Sequence, residues 1–239
     1  MSSVENKVVV LTGGTGYVGS VLVRVLSAAG YTPVVLTRRA QEDTKGVHYL
    51  LADLTKAETV LEAAREVESA YGSVAALVHA AAAPLARKPL LSLTSEEFVA
   101  GCRSQTIDAF QFFKAYTPLV REGGHLIGIT TTAIDSGAVY SASGVYVPAK
   151  AALRAMLRVL AHELKDRSIA VSALAPAFMP GGLNGDMPAS VIALLQQKSK
   201  PEDVTSPEEV AEVLLAIVRG EFLAAGKSVR VPGRELSDL

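Results

Sequence analysis

Short runs of Val, Ile, Leu and Ala alternate along the chain with longer stretches in which apolar residues recur every three to four positions. The runs Val8 to Leu11, Pro33 to Leu36, Val47 to Leu51, Val74 to Val78, His125 to Ile129, Ile169 to Leu174 and Ser228 to Val231 predict about seven strands. Helical spacing marks Tyr17 to Ala29, Ala57 to Tyr71, Glu96 to Val120, Val145 to Lys165 and Pro207 to Arg219. Strands alternating with helices of this length need crossover connections, so the pattern predicts an α/β fold: a doubly wound parallel sheet with helices on both faces. Ser206-Pro207-Glu208-Glu209 reads as a helix start, with an N-cap, a proline in the first turn and two carboxylates against the positive helix end. Arg38 to Gly46 is too short for an ordinary helix and predicts a turn or loop. Pro176 to Thr205 holds Pro180, Gly181, Gly182, Gly185, Pro188 and Pro201 around the short apolar stretch Val191 to Leu195. Such an insert at the carboxyl end of a strand predicts a substrate lid over about residues 177–205.

The 239 residues suit one large domain, 1–239, without a linker. Apolar residues make up 49% of the chain and mean hydropathy is +0.31, as a sheet buried on both faces requires. A net charge of −1 and a pI near 6.4 leave no basic surplus for nucleic acid or an anionic membrane, so a small molecule is the expected partner. Cys102 is the only cysteine, which excludes an internal disulfide and a thiolate metal site. Together with an N-terminus that lacks the pattern of a signal peptide, this predicts a reduced, cytoplasmic setting. No uncharged apolar stretch reaches the ~18 residues of a membrane span. His48, His79, His125 and His162 are scattered and read as surface or satisfied interior residues, with no metal site.

The first strand ends in TGGTGYVG, Thr12 to Gly19. Gly13 permits the sharp turn, Gly16 lets the backbone approach a pyrophosphate, and Gly19 allows helix and strand to pack closely. Thr15, Tyr17 and Val18 complete the loop and the start of the helix, whose positive end would meet the phosphates. Strand before and helix after are the context in which such a motif binds a nucleotide; the alternative is a plain tight turn. The second strand ends in Thr37-Arg38-Arg39 without a carboxylate. Two guanidiniums there favour a 2′-phosphate and hence NADP(H), unless they merely form a solvated basic loop. Farther along, Tyr146 and Lys150 stand four residues apart, one helical turn and one face. An ammonium near a phenol stabilises the phenolate and lowers a pKa that is otherwise near ~10.

The glycine-rich turn, the YVPAK pair and the strand–helix order between them resemble the short-chain dehydrogenase/reductase family over nearly the whole chain. The resemblance implies a Rossmann-like fold in which Tyr146 donates a proton to a carbonyl oxygen while Lys150 also holds the nicotinamide ribose. Asp53 in ADLT resembles the family's adenine-binding aspartate, with Leu54 beside it; its other reading is an N-cap of the following helix. LVHAAAA occupies the place of the family's NNAG, with His79 and Ala80 for the asparagines and Ala82 for the glycine, so Ala80, Ala81 and Ala82 would pass close to the cofactor ribose. GGHLIGITT aligned from the strand puts Thr131 at the family's catalytic serine, whereas the family's spacing of thirteen to the tyrosine selects Ala133. Thr132 is the next candidate and Ser143 a distant one, and two extra residues must be absorbed between Ile134 and Val145. Tyr140 has no lysine at the required spacing. Gln105 falls at the asparagine of the family's proton relay, Pro176-Ala177 at its PG, with Pro176 and Phe178 counted to the cofactor site, and Gly181 at its carboxamide-binding threonine. The family's TGxxxGxG would place glycine where Tyr17 stands.

The favoured expectation is an NADPH-dependent reductase of a ketone, including a 3-oxoacyl thioester or polyketide-like substrate. The alternative is a non-catalytic NADP(H)-binding sensor or scaffold, favoured by Thr131, Gln105, His79 and Gly181 together. Phe110, Phe112, Phe113, Leu153, Met156, Leu157 and Leu160 outnumber what one buried face needs. In the resembling family these helices form a four-helix interface, which predicts a homodimer or homotetramer.

Overall fold

Every residue of the first strand, β1 (Val8–Thr12), is buried, because helices cover both faces of its sheet. Successive side chains point to opposite sides. Val8 and Val10 enter one core with Phe112, Phe113, Tyr116, Leu153 and Leu157, while Val9 and Leu11 enter the other with Leu22, Leu26, Leu214 and Ile217. A computed structural model describes residues 7–44, 46–84, 86–135 and 143–239.

β1 is joined in one sheet by β2 (Thr32–Thr37), β3 (His48–Leu51), β4 (Val74–His79), β5 (Val120–Ile129), β6 (Ala170–Pro176), β7 (Lys227–Val231) and β8 (Leu236–Asp238). The order is β3-β2-β1-β4-β5-β6-β7-β8, with β1 to β7 parallel and β8 antiparallel to β7. From β1 the chain works outward to β3, then crosses back to β4 on the other side of β1. The carboxyl ends of β1 and β4 therefore bound the crevice at which open α/β sheets bind ligands.

The helices are α1 (Tyr17–Ala28), α2 (Ala57–Tyr71), α3 (Ser95–Cys102), α4 (Asp108–Tyr116), α5 (Tyr146–Glu163), α6 (Ala189–Lys198) and α7 (Pro207–Val218). Buried residues of α1 and α7 form one core with the sheet, and those of α2, α4 and α5 the other. The expected start of α7 is present as a capping box: the Glu209 amide donates to the Ser206 hydroxyl at 3.2 Å, and the Ser206 amide to the Glu209 carboxylate at 2.7 Å.

Four features differ from the sequence pattern. The eighth strand, LSD, is exposed and too short to carry an apolar run; its pairing is supported by the Lys227–Asp238 ion pair at 2.6 Å. The stretch expected as one helix from Glu96 to Val120 is interrupted by a π-helical turn at Arg103–Ile107 and ends in a 3-10 turn at Thr117–Leu119. The polar run RSQT is the local signal for that break, because a π turn admits one extra residue and re-aims its neighbours. β5 begins at Val120, five residues early, since Arg121 to Gly124 bulge out between the Val74–Val120 and Ala76–His125 pairs, with Gly123 at φ +71°. The insert between β6 and α7 is more ordered than its glycines and prolines suggested: Val191 to Leu195 lie within α6, flanked by 3-10 turns at Gly182–Asn184 and Pro201–Asp203. Residues 38–44 form no helix, as expected.

Of the seven apolar side chains singled out on the long helices, Phe112, Phe113, Leu153 and Leu157 are buried and Met156 and Leu160 pack against the same core. Sheet coverage thus accounts for six. Phe110 stays 51% exposed on α4, near in sequence to exposed Ile107.

Candidate active site

At the end of β1, Gly13 adopts φ +73°, and a Cβ there would lie 2.6 Å from the Ala81 amide nitrogen. A Cβ at Gly14 would strike Val35 at 2.7 Å, and one at Gly19 would strike the Gly13 carbonyl. These three glycines are required by the turn itself. Gly16 differs: among the described residues only the Gly13 carbonyl, at 3.2 Å, stands near its missing Cβ, and Thr15, Gly16 and Tyr17 are exposed. Gly16 caps α1 without any side-chain hydrogen bond, and the first turn holds no acidic residue. The first amides of α1 thus keep their donor capacity for an anion. A cradle bounded by glycine backbone and an uncapped helix start fits a dinucleotide pyrophosphate.

Tyr17 does more than fill the place of a glycine. A Cβ at Gly181 would meet the Tyr17 ring at 2.6 Å and one at Gly182 would meet it at 3.0 Å. The ring therefore lies on the two glycines of the insert, bridging the turn after β1 to the segment after β6. Val18 packs against the core shared by α1 and α7.

Across the switch point, the Thr12 hydroxyl lies 3.0 Å from His79 Nδ1 and accepts from the Ala81 amide at 3.2 Å. The Ala80 amide donates to the Thr12 carbonyl at 3.3 Å. Ala80, Ala81 and Ala82 are partly exposed at the crevice, so small side chains here let the Gly13 turn press against the β4 backbone. His79 is buried between the strands and the Phe112 and Phe113 rings, and burial followed by the nearby Lys150 charge depresses its pKa to about 3. It stays neutral and braces β1 against β4, a task the resembling family gives to asparagine.

Arg38 and Arg39 are exposed beyond β2, and the Arg39 backbone is held by the Thr37 hydroxyl. The Arg38 charge reaches both Asp53 and Asp108. Asp53 accepts from the Thr55 amide and hydroxyl at 3.0 and 2.8 Å, and the first of these bonds is the largest cause of its lowered pKa. It does not cap α2 directly, because Lys56 is the N-cap and the aspartate closes the preceding turn instead. Leu54 packs against the core under α2.

Tyr146 and Lys150 open α5 over the carboxyl ends of β4 and β5. Lys150 is buried and donates from Nζ to the Ile129 carbonyl at 2.7 Å; burial lowers its pKa to about 8. The half-buried Tyr146 phenol is raised by burial, against a smaller lowering by a Thr131 side-chain hydrogen bond and by the Arg87 charge. This reverses the sequence expectation that the lysine sets the phenol: the ammonium is committed to the β5 carbonyl, and burial dominates.

Thr131 is buried directly beyond β5, and its hydroxyl also accepts from the Ala133 amide at 3.3 Å. Thr130 is turned the other way, donating to the Leu174 carbonyl at 3.1 Å. Thr132 begins a 3-10 turn, and Ser143 is partly exposed ahead of α5. Tyr140 and most of the expected two-residue insertion lie outside the described residues. Gln105 is buried in the π turn, with Nε2 3.5 Å from the Ser104 hydroxyl and no partner for Oε1 among the described residues. Its neighbour Thr106 donates to the Ala149 carbonyl at 2.9 Å, tying the π turn to α5. Pro176 is buried at the end of β6, and Phe178 follows, its amide donating to the Asp203 carbonyl at 3.1 Å.

One contact had no sequence signal. Arg87, between β4 and α3, donates from Nη2 to Asp186 Oδ1 at 2.9 Å, to Asn184 Oδ1 at 3.3 Å and to the Leu183 carbonyl. It spans from the loop beside Tyr146 to the insert, and a spacing rule could not have found it.

A family model described as enoyl-(acyl carrier protein) reductase matches residues 20–227. A protein designated ketoacyl reductase 2 of the granaticin polyketide synthase, from Streptomyces violaceoruber, is 27% identical over 96% of this chain and 96% of its own. The 3-oxoacyl-[acyl-carrier-protein] reductase of Staphylococcus epidermidis is 25% identical over 97% of this chain and 96% of its own. A dehydrogenase/reductase from Sinorhizobium meliloti has the same fold, with a TM-score of 0.84 at 21% identity over 97% and 96% of the two chains. With its parallel sheet, glycine-rich turn and Tyr146–Lys150 pair, the chain belongs to the short-chain dehydrogenase/reductase family of oxidoreductases, whose members bind a nicotinamide cofactor.

Proposed function

We propose that the protein is an NADPH-dependent reductase of a ketone, with a 3-oxoacyl thioester or a polyketide-like ketone as the specific substrate class. The observation that carries this reading is buried Lys150, fixed to the Ile129 carbonyl at 2.7 Å one helical turn from Tyr146, with the Thr131 side chain acting on the same phenol. A phenol raised by burial holds its proton at neutral pH, so Tyr146 is an acid ready to donate once negative charge develops on a carbonyl oxygen. Thr131 orients the phenol and offers a second hydroxyl to the same oxygen. Two relatives named as ketoacyl or 3-oxoacyl reductases support the substrate class.

Gly13, Thr15, Gly16 and the amides of Tyr17, Val18 and Gly19 would hold the pyrophosphate. Arg38 and Arg39 would hold a 2′-phosphate, Asp53 and Leu54 the adenine side, and Ala80 to Ala82, Pro176 and Phe178 the nicotinamide side, with Tyr146 and Lys150 at its ribose. The cofactor, when bound, supplies the hydride. Gln105, whose buried Oε1 has no partner among the described residues, is assigned to the proton relay behind Lys150.

We read residues 1–239 as one domain with a substrate lid at about 177–205, working in the cytoplasm on a small molecule. Exposed Ile107 in the π turn and Phe110 on α4, with Val159 on α5, favour a homodimer or homotetramer, and a monomeric mass by light scattering at micromolar protein would refute that assembly. The deciding assay follows nicotinamide absorbance with NADPH and β-ketoesters, diketones and acetoacetyl thioesters. Steady oxidation supports the reductase; tight NADPH binding without turnover on any of them would support a sensor instead.

A further inference from the structure

Arg87 stands between the reacting tyrosine and the insert. Its loop is fixed beneath Tyr146: the Gly144 amide donates to the Lys88 carbonyl at 3.1 Å, and a Cβ at Gly144 would come within 2.6 Å of that oxygen. Lys88 pairs in turn with Glu97 of α3 at 2.6 Å. From this anchored loop the guanidinium reaches Asp186, with Nε 3.2 and 3.5 Å from the two carboxylate oxygens and Nη2 2.9 Å from Oδ1. The chain's own carboxylate thus sits in an arginine fork at the mouth of the site. Side-chain exposure of 36% for Arg87 and 67% for Asp186 makes this a surface pair, which contributes little to stability and exchanges readily. The same planar fork suits any carboxylate, and the Arg87 charge is felt at the Tyr146 phenol.

We propose that Arg87 is a specificity residue that binds the carboxylate of an oxo acid whose ketone faces Tyr146, in the place that Asp186 holds without substrate. This rests on the reductase reading above. It narrows the substrate to a ketone carrying its own anionic group, and gives Asp186 the role of an internal competitor. When the carboxylate of the substrate takes the fork, the Arg87 bonds to the insert are exchanged for bonds to the ligand.

The test compares 3-oxo, 4-oxo and 5-oxo acids with their methyl esters in NADPH-dependent reduction. For at least one chain length the acid should exceed its ester tenfold or more in kcat/KM. Arg87→Gln should abolish that preference by lowering the acid at least tenfold while leaving the ester within about twofold, and Asp186→Asn should raise kcat/KM for the acid alone. A wild-type preference for esters, or an equal loss on acid and ester in Arg87→Gln, would overturn the proposal and leave Arg87 as a fastening for the insert. If the wild type reduced neither, the reductase reading would fail separately. Calorimetric titration with the same oxo acids would then decide Arg87: binding lost in Arg87→Gln supports the assignment, and binding absent or unchanged refutes it.

Discussion

The Tyr17 ring lies on Gly181, close enough that a Cβ at that glycine would meet ring carbon Cζ at 2.6 Å. Two departures from the family pattern, an aromatic where a glycine is usual and a glycine where a threonine is usual, are therefore one contact. Gly181→Thr should displace the ring and destabilise the protein by ~1–3 kcal/mol. Tyr17→Ala should remove that penalty, so that the two changes are strongly non-additive in thermal or urea unfolding. Additive effects would show that ring and insert do not touch in solution.

Thr131 and Tyr146 are predicted to act on one oxygen. Tyr146→Phe should abolish turnover with NADPH binding nearly intact, because it removes the acid and little else. Thr131→Ala should lower kcat by a factor on the order of 10², and Thr132→Ala should be mild. Full activity in Thr131→Ala with loss in Thr132→Ala or Ser143→Ala would reassign the hydroxyl.

Cofactor choice should turn on the end of β2. A charge-assisted contact from Arg38 to the 2′-phosphate is worth on the order of 1.5–3 kcal/mol, roughly tenfold to a hundredfold in affinity. NADPH should bind more tightly than NADH by that factor, and Arg38→Asp should reverse the order. Fluorescence titration with both cofactors reads this directly, and equal affinities in the unmodified protein would refute it.

His79 should make the fold sensitive to acid. Its pKa falls from an ordinary 6.5 to about 3 on burial, so below pH 6.5 the unfolded chain binds a proton that the folded chain refuses. Stability from this group is complete above pH 6.5 and is lost toward pH 3, at about 1.4 kcal/mol per pH unit. His79→Asn keeps a side chain able to bond Thr12 and removes the titration. Urea unfolding at pH 7 and pH 4.5 should show a smaller acid loss in the variant; equal losses would mean that His79 is not sealed from water.

Much of this molecule was legible in order and pattern. Continuous apolar runs alternating with helical periods specify a two-sided parallel sheet because only that packing buries both faces of each strand. The turn Thr12 to Gly19 and the Tyr146–Lys150 spacing are local, and local geometry carries them: φ above zero at Gly13, and one helical turn between the pair. β8 was illegible because three exposed residues, only one of them apolar, have no period, and the break in the helix after Cys102 because a π turn obeys neither helical nor strand repeat. Tertiary structure alone decided that Lys150 turns to the Ile129 carbonyl, that the neutral His79 braces β1 against β4, and that Tyr17 meets Gly181. It also decided that Arg87 crosses to Asp186, 99 positions away in sequence. Each of these depends on distance between distant segments and on exclusion of water, and neither quantity is written in the spacing of residues along a chain.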